Sequence, residues 1–252
     1  MNTHLTSIQQ LFEETLQDNM LGLYVYGSVA MDCFNPARSD IDLLIVVKER
    51  LKDHDITSLT QRLLGLRDTM TPGIECSVML EEHLFRLVHP TPCEYHFSDY
   101  HLERYRSNPD YRIVRYEDPD LASQVTMAYV RGLPLYGKPL AERYPAPDER
   151  AYLASILHDI EDADSAILSN SLYTVLNLCR VLYYIREGAF ASKKEGGEWA
   201  LTMLPANYRP MVQMYVDAYT GASPEEKADP AQLTEFAAYM RREIDHALES
   251  RR

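Results

Sequence analysis

The chain is short of positive charge: 25 Lys and Arg stand against 38 Asp and Glu among 252 residues, a net charge of −13. That deficit argues against a groove built to follow a nucleic-acid backbone, which needs a basic face. It suits a small cationic substrate, although acidity also serves plain solubility. Cysteine is scarce and scattered. Cys33, Cys76, Cys93 and Cys179 form neither a C-x-x-C pair nor a zinc-like cluster with histidine, so reduced thiols in a cytoplasmic protein are expected. The dinucleotide fingerprint G-x-G-x-x-G is missing, as are repeats and low-complexity tracts. The start of the chain has no membrane-length apolar run. Leu5, Ile8, Leu11, Phe12 and Leu16 recur at helical spacing among polar residues, unlike a secretory signal or a transmembrane segment. Neither a membrane nor a nucleic-acid partner is expected.

What is present begins with Leu21 to Tyr26, which reads as a buried strand that Gly27-Ser28 ends in a tight turn opening a short helix. Twelve residues after Ser28 comes Asp40-Ile41-Asp42, at the head of the apolar run Leu43 to Val47. Strand alternation sends Asp40 and Asp42 to one face and Ile41 into the core. Two carboxylates at one sheet edge can hold Mg²⁺ against the α-phosphate of a nucleoside triphosphate. Glycine lets backbone approach phosphate, and the Ser28 hydroxyl with helix-start N–H groups can donate to β- and γ-oxygens. A third carboxylate, Glu75, opens the apolar run Ile74 to Leu80. It can complete the metal site or accept the proton of an attacking hydroxyl, and the second role is favoured. A lone Gly-Ser or Asp-x-Asp is ordinary strand-end punctuation. Together, in order and each at a strand edge, they point to a nucleotidyl-transfer site.

A chain of this length accommodates two ordinary domains. Helix 3–19, strand 21–26, a short helix from Ser28, strand 41–47, helix 55–70 and strand 74–80 make an α/β order with a mixed sheet. Residues 81–117 are rich in His, Tyr and Arg. His89, His96 and His101 are spaced by seven and five, which fits no compact ligand motif, so a polar strand and helix facing the cleft are expected in place of zinc. A helical stretch near 119–131 and the segment Gly132 to Pro139 lead to the proline-bearing connector Arg143 to Asp148, where the domain boundary is placed. Helical spacing over 149–168, 170–188, 196–204, 208–220 and 230–250, broken by Gly188, Pro205, Gly221 and Pro230, predicts a bundle. The expected fold class is α+β: a nucleotidyltransferase-type α/β domain over 1–148 and an α-helical bundle domain over 149–252. Within the bundle, Trp199 is expected in the core and the acidic run Asp159, Glu161, Asp162, Asp164 on a solvated helix face. The last residues, Glu249 to Arg252, are expected to fray.

With these motifs the chain resembles bacterial aminoglycoside nucleotidyltransferases of the streptomycin/spectinomycin adenylyltransferase family. Both halves carry the resemblance: Gly27-Ser28 with Ser39-Asp40-Ile41-Asp42-Leu43-Leu44, then Val175 to Arg180, Gly188 to Lys193, Glu198 to Leu201 and Leu204 to Pro210. It implies ATP-dependent adenylylation of a drug hydroxyl in a cleft between two domains. Asp40 and Asp42 would be Mg²⁺ ligands, Glu75 the base, and Gly27, Ser28 and Ser39 nucleotide contacts. Arg180 and Lys193 match family positions that approach the triphosphate, where cations stabilise departing pyrophosphate; Lys194 is the adjacent competitor for Lys193. Family members that modify streptomycin carry a Trp and two Asp upstream of the arginine helix. Here those places hold Glu161, Ala166 and Asn170, so a small cationic aminocyclitol such as spectinomycin is the expected acceptor. A monomer or weak dimer is expected.

Other classes share some of these features. A regulatory nucleotidyltransferase that modifies a protein, or an antitoxin, would use the acidic helical domain for docking. A non-catalytic nucleotide-binding module would normally lack a carboxylate, and all three are present. Arg241 and His246, five apart, could suggest an RNA-cleaving domain, but such a pair arises readily by chance on a charged helix face.

Overall fold

In the computed structural model, which describes residues 2–251, the chain divides into two compact units between Ser155 and Ile156. The first unit opens with α1 (Asn2–Leu16), β1 (Met20–Tyr26), the single turn α2 (Gly27–Ala30), β2 (Ile41–Val47), α3 (Asp53–Arg67) and β3 (Ile74–Leu80). It continues through β4 (Thr91–Ser98), α4 (Leu102–Ser107), β5 (Ile113–Asp118), α5 (Leu121–Arg131), β6 (Leu133–Tyr136), α6 (Leu140–Arg143) and the first turns of α7 (Glu149–His158). The strands form one sheet in the order β5-β4-β3-β2-β1-β6. Among the described residues only β2 and β3 pair in parallel, so the sheet is mixed, as the order of elements predicts.

Strand alternation gives the sheet two unlike faces. One carries Leu23, Val25, Leu43, Ile45, Cys76, Val78, Tyr95 and Phe97, and is sealed by Ile8, Leu11 and Phe12 of α1 with Ile56, Leu59 and Leu63 of α3. Each such side chain, fully buried, contributes roughly 1.5–3 kcal/mol. The other face carries the residues between, among them Tyr24, Tyr26, Asp42, Leu44, Ser77 and His96. It lies under α5, whose Leu121, Ala122, Gln124, Val125 and Ala128 are buried. The polar groups of the sheet are therefore gathered on one side.

Two expectations for this unit change. The helix expected over 3–19 closes at Leu16 and tightens into a 3₁₀ turn through Asn19. The segment Leu133–Tyr136, given no element from the sequence, is an edge strand paired with β1, where Pro134 is tolerated because one side of an edge strand needs no N–H donor.

The second unit runs from Ile156 through α8 (Ala163–Ser169), α9 (Ser171–Glu187), α10 (Lys193–Met203), α11 (Arg209–Thr220) and α12 (Pro230–Ser250). The buried face of α9, including Val175, Leu178, Cys179, Val181, Leu182 and Ile185, is packed by the other four helices. A capping box between Ser192 and Glu195 starts α10 at Lys193, earlier than hydrophobic spacing alone predicts. At the other end α12 reaches Ser250, so Glu249 and Ser250 are helical; Arg252 lies outside the described residues.

The helix expected over 149–168 is interrupted at 159–162. There Asp159 turns toward α9, and Arg241 of α12 donates to the Glu161 carbonyl and to that of Ile160, which also accepts from the Ala163 N–H. Arg241 also pairs with Asp164 at 2.8 Å. Glu161, Asp162 and Asp164 remain exposed, but Asp159 does not belong to a solvated face. Trp199 is half-buried rather than core: its ring stacks on Tyr183 at 4.9 Å and its indole N–H donates to Glu187. Among the described residues no helix is long and apolar enough to cross a membrane.

Candidate active site

The ends of four strands line up side by side. Tyr26 closes β1 opposite Asp42, Asp42 is in parallel register with Glu75, and Glu75 faces Ser98 at the end of β4. Asp40 stands just before β2, where the Ile41 N–H donates to the Gly73 carbonyl at 2.8 Å and extends the ladder. The three carboxylates picked out by sequence thus share one sheet edge.

Two glycines make room for them. A Cβ at Gly27 would fall 2.0 Å from Asp42 Oδ2, and one at Gly73 would fall 1.9 Å from Asp40 Oδ1. Gly27 also holds a φ of +63°, a left-handed conformation that glycine adopts without strain. Sequence reasoning assigned Gly27 to phosphate approach and overlooked Gly73, whose only sequence signal is its place just ahead of β3.

Around the row the polar groups are arranged unevenly. Ser28 is buried and its hydroxyl has no hydrogen-bond partner, a condition that costs roughly 1–3 kcal/mol unless a ligand relieves it. The Ser39 hydroxyl instead accepts from the Asn35 N–H at 3.3 Å, within its own loop. Burial raises the Tyr26 hydroxyl pKa well above the usual range, with the Asp42, Glu75 and Asp118 carboxylates adding to the effect, so it stays protonated. Asp99 is paired with Arg67 and accepts from the Ile74 N–H at 3.2 Å, bracing the start of β3. Next to it Tyr100 is 90% exposed, a large aromatic at the same sheet end that sequence reasoning passed over as part of a polar run.

The histidines of this region do not converge. His96 contacts Ser77 and His101 contacts Tyr111, each at 3.2 Å. Among the described residues no three of His, Cys, Asp and Glu lie close enough together to hold a metal ion by themselves. The donor chemistry nevertheless fits Mg²⁺, which takes hard oxygen ligands and usually keeps only one or two carboxylates beside substrate phosphates and water.

In the second unit, Arg180 of α9 donates to Asp159 Oδ2 at 3.1 Å, an oxygen that also accepts from Asn177 Nδ2 at 2.6 Å. The other oxygen accepts from the Tyr173 hydroxyl at 2.7 Å. Lys193 Nζ sits over the Tyr173 ring, 4.3 Å from its centre, while Lys194 pairs with Glu198 at 3.3 Å. Arg180 and Lys193 are therefore brought to one cluster, and Lys194 is engaged elsewhere. Beside them a pocket of about 160 Å³ is lined by Asp159, Asp162, Ala166, Asn170, Tyr173 and Asn177 among others. The Oδ1 of the wholly buried Asn177 has no hydrogen-bond partner.

A mixed sheet with a glycine-serine turn and carboxylates on adjacent strand ends defines the class of nucleotidyltransferases, and residues 7–81 match the family model described as nucleotidyltransferase domain. Residues 145–243 match the one described as aminoglycoside adenylyltransferase, C-terminal domain. In both matched segments the chain thus resembles aminoglycoside adenylyltransferases. It is 23% identical over 249 residues to the spectinomycin 9-adenylyltransferase of Campylobacter jejuni, covering 97% of this chain and 95% of that protein. It is 26% identical over 258 residues to the aminoglycoside (3'') (9) adenylyltransferase of Escherichia coli, with the same coverage. A crystal structure of spectinomycin adenyltransferase from Enterococcus faecalis, with ATP and spectinomycin, shares the fold at a TM-score of 0.83 and 20% identity, covering 97% of this chain and 99% of that one.

Proposed function

We propose that the chain transfers the adenylyl group of ATP to a hydroxyl of an aminocyclitol antibiotic, spectinomycin in preference to streptomycin, and releases pyrophosphate. The observation that carries this reading is the edge row: Asp42 and Glu75 in register on adjacent parallel strands, with Asp40 beside them over Gly73. Glu75 takes the proton of the acceptor hydroxyl. The oxygen attacks the α-phosphorus, the bond to the β-phosphate oxygen breaks, and its electron pair leaves on pyrophosphate. Asp40 and Asp42, with Glu75 in its second role, would hold Mg²⁺, which when bound neutralises charge on the phosphate oxygens.

Gly27 and Ser28 meet the phosphates, where the Ser28 hydroxyl gains the partner it lacks in the protein. Ser39 lies on the nucleotide side, and Arg180 and Lys193 supply positive charge to the triphosphate. The nucleotide-side work belongs to 1–148, and acceptor recognition with those two cations to 149–252. In the pocket beside Asp159, carboxylate and amide oxygens suit the ammonium and hydroxyl groups of a small aminocyclitol. Ala166 and Asn170 line it where streptomycin-modifying members carry aspartates, which removes two charges and favours the smaller drug. The reaction suits the cytoplasm, where ATP is supplied, and a monomer or weak dimer suffices for it.

The test is incubation with each nucleoside triphosphate, Mg²⁺ and a panel of aminoglycosides, followed by pyrophosphate assay and mass spectrometry of each drug. ATP with spectinomycin is expected to give pyrophosphate and a drug heavier by one adenylyl group. Efficient modification of streptomycin would overturn the selectivity. Unmodified drugs together with a labelled protein would move the chain to the regulatory class.

A further inference from the structure

Beneath the edge row lies a second row of paired residues, Tyr24–Leu44–Ser77–His96, one step further into the sheet. Two of its members are polar, and both lie on the face that α5 covers. Gln124, in the first turns of α5, is buried and spans the two rows. Its Oε1 accepts from the Ser77 hydroxyl at 2.9 Å and its Nε2 donates to Glu75 Oε1 at 3.3 Å.

A buried amide is costly unless both ends are paired, and here each end has one kind of partner. Turned over, Gln124 would set its carbonyl oxygen against the Glu75 carboxylate, two acceptors face to face. Ser77 fixes the same sense from the other end. Its oxygen is 3.2 Å from His96 Nδ1, and a proton on Nδ1 donated to Ser77 leaves the Ser77 proton for Gln124 Oε1. The chain then runs in one direction, from His96 through Ser77 and Gln124 to Glu75. Burial lowers the pKa of His96, against the pull of Asp118, so the ring is neutral and its proton can sit on Nδ1.

We propose that Gln124 is a positioning residue: it holds one oxygen of Glu75 and so aims the carboxylate into the transfer site, with its own orientation set by Ser77 and His96. The proposal rests on Glu75 acting in nucleotidyl transfer, as base or as metal ligand, and it requires the same thing of Gln124 in either case. A hydrogen bond from the Gln124 amide limits rotation of the carboxylate, and a carboxylate that turns more freely spends more of its time in unproductive rotamers.

The experiment compares Gln124→Met, which keeps length and loses the donor, with Glu75→Gln and the double variant. Each is measured by steady-state kinetics with spectinomycin and by Mn²⁺ binding in the presence of ATP, read by electron paramagnetic resonance. Thermal midpoints serve as the folding control. Gln124→Met is expected to reproduce, more weakly, whichever defect Glu75→Gln shows. That is a fall in kcat of about tenfold with the KM for ATP within about twofold if Glu75 is the base, or an about tenfold weaker Mn²⁺ affinity if it is a ligand. In the Glu75→Gln background the second substitution is expected to add nothing. Ser77→Ala, which frees the amide to turn over, is expected to fall between wild type and Gln124→Met.

Wild-type behaviour of Gln124→Met in both assays would overturn the proposal. So would a defect that multiplies that of Glu75→Gln, or a lowered thermal midpoint with unchanged kcat and Mn²⁺ binding. If wild-type protein modifies no aminocyclitol, the acceptor reading fails by itself, and the Mn²⁺ titration with ATP still compares the two variants: a loss shared by Glu75→Gln and Gln124→Met supports the positioning role, and a loss in one variant without the other refutes it.

Discussion

Gly73→Ala chiefly perturbs the placement of one carboxylate, Asp40, while Asp99 Oδ2, 3.1 Å from the added methyl, need give by only a few tenths of an ångström. The added methyl would lie 1.9 Å from Asp40 Oδ1, and real Cβ contacts essentially never fall below 3.0 Å, so the oxygen must retreat by at least 3.0 − 1.9 = 1.1 Å. A displacement of about 1 Å in a catalytic group costs roughly a hundredfold, or about 2.7 kcal/mol of transition-state stabilisation. Folding is expected to notice little. The half-buried Asp40 side chain can leave its rotamer for roughly 0.5–1.5 kcal/mol, and replacing glycine restrains the unfolded chain by roughly 0.4–1 kcal/mol in the opposite sense. Gly27→Ala is the matched contrast. Its methyl would lie 2.0 Å from Asp42 Oδ2, but the left-handed backbone adds roughly 1–2 kcal/mol of strain, so activity and thermal midpoint fall together. The assay is kcat for adenylyl transfer to spectinomycin beside a calorimetric midpoint. A Gly73→Ala protein that folds normally and turns over within about threefold of wild type would refute the claim that the position of Asp40 matters.

Asp42→Asn keeps volume and removes charge, so kcat is expected to fall by about a thousandfold or more with an unchanged midpoint; turnover within about tenfold of wild type would remove Asp42 from the metal set. Burial raises the thiol pKa of Cys76 well above its usual value and those of Cys93 and Cys179 to about 12, while Cys33 is only partly buried. A disulfide reagent at pH 8 is therefore expected to label one thiol of the native chain quickly and all four after unfolding, and fast labelling of two or more natively would contradict the buried placement. His96 is held below its ordinary pKa of 6.5 by burial, so as pH falls through that value the unfolded chain takes up the proton first and stability declines. His96→Gln should flatten the drop in thermal midpoint just below pH 6.5, and an identical drop in the variant would show that His96 does not cause it.

Much of the first unit was legible because its signals are local. Near-continuous apolar runs marked β1, β2 and β3, and the order of Gly27, Ser28, Asp40, Asp42 and Glu75 along the chain was enough to suggest one site. The bundle was legible in the same way, from helical spacing and its glycine and proline stops. The misreadings came where a local signal was overruled by a distant partner. Leu133–Tyr136 is a strand only because β1 offers it an edge, and 149–168 breaks because Asp159 has Tyr173, Asn177 and Arg180 to turn to and Arg241 donates to the Glu161 carbonyl at the break. The side chains proposed to carry the chemistry were therefore legible in the sequence, since residue type and spacing limit what can bind phosphate or take a proton. How those side chains are held was decided by tertiary structure alone: the bare backbone of Gly73 beneath Asp40, the register of Asp42 against Glu75, and the amide of Gln124 between Ser77 and Glu75 all join residues far apart along the chain. Hydrogen bonds and steric contacts act over a few ångströms in space, and no spacing along the chain encodes which distant residues will come that close.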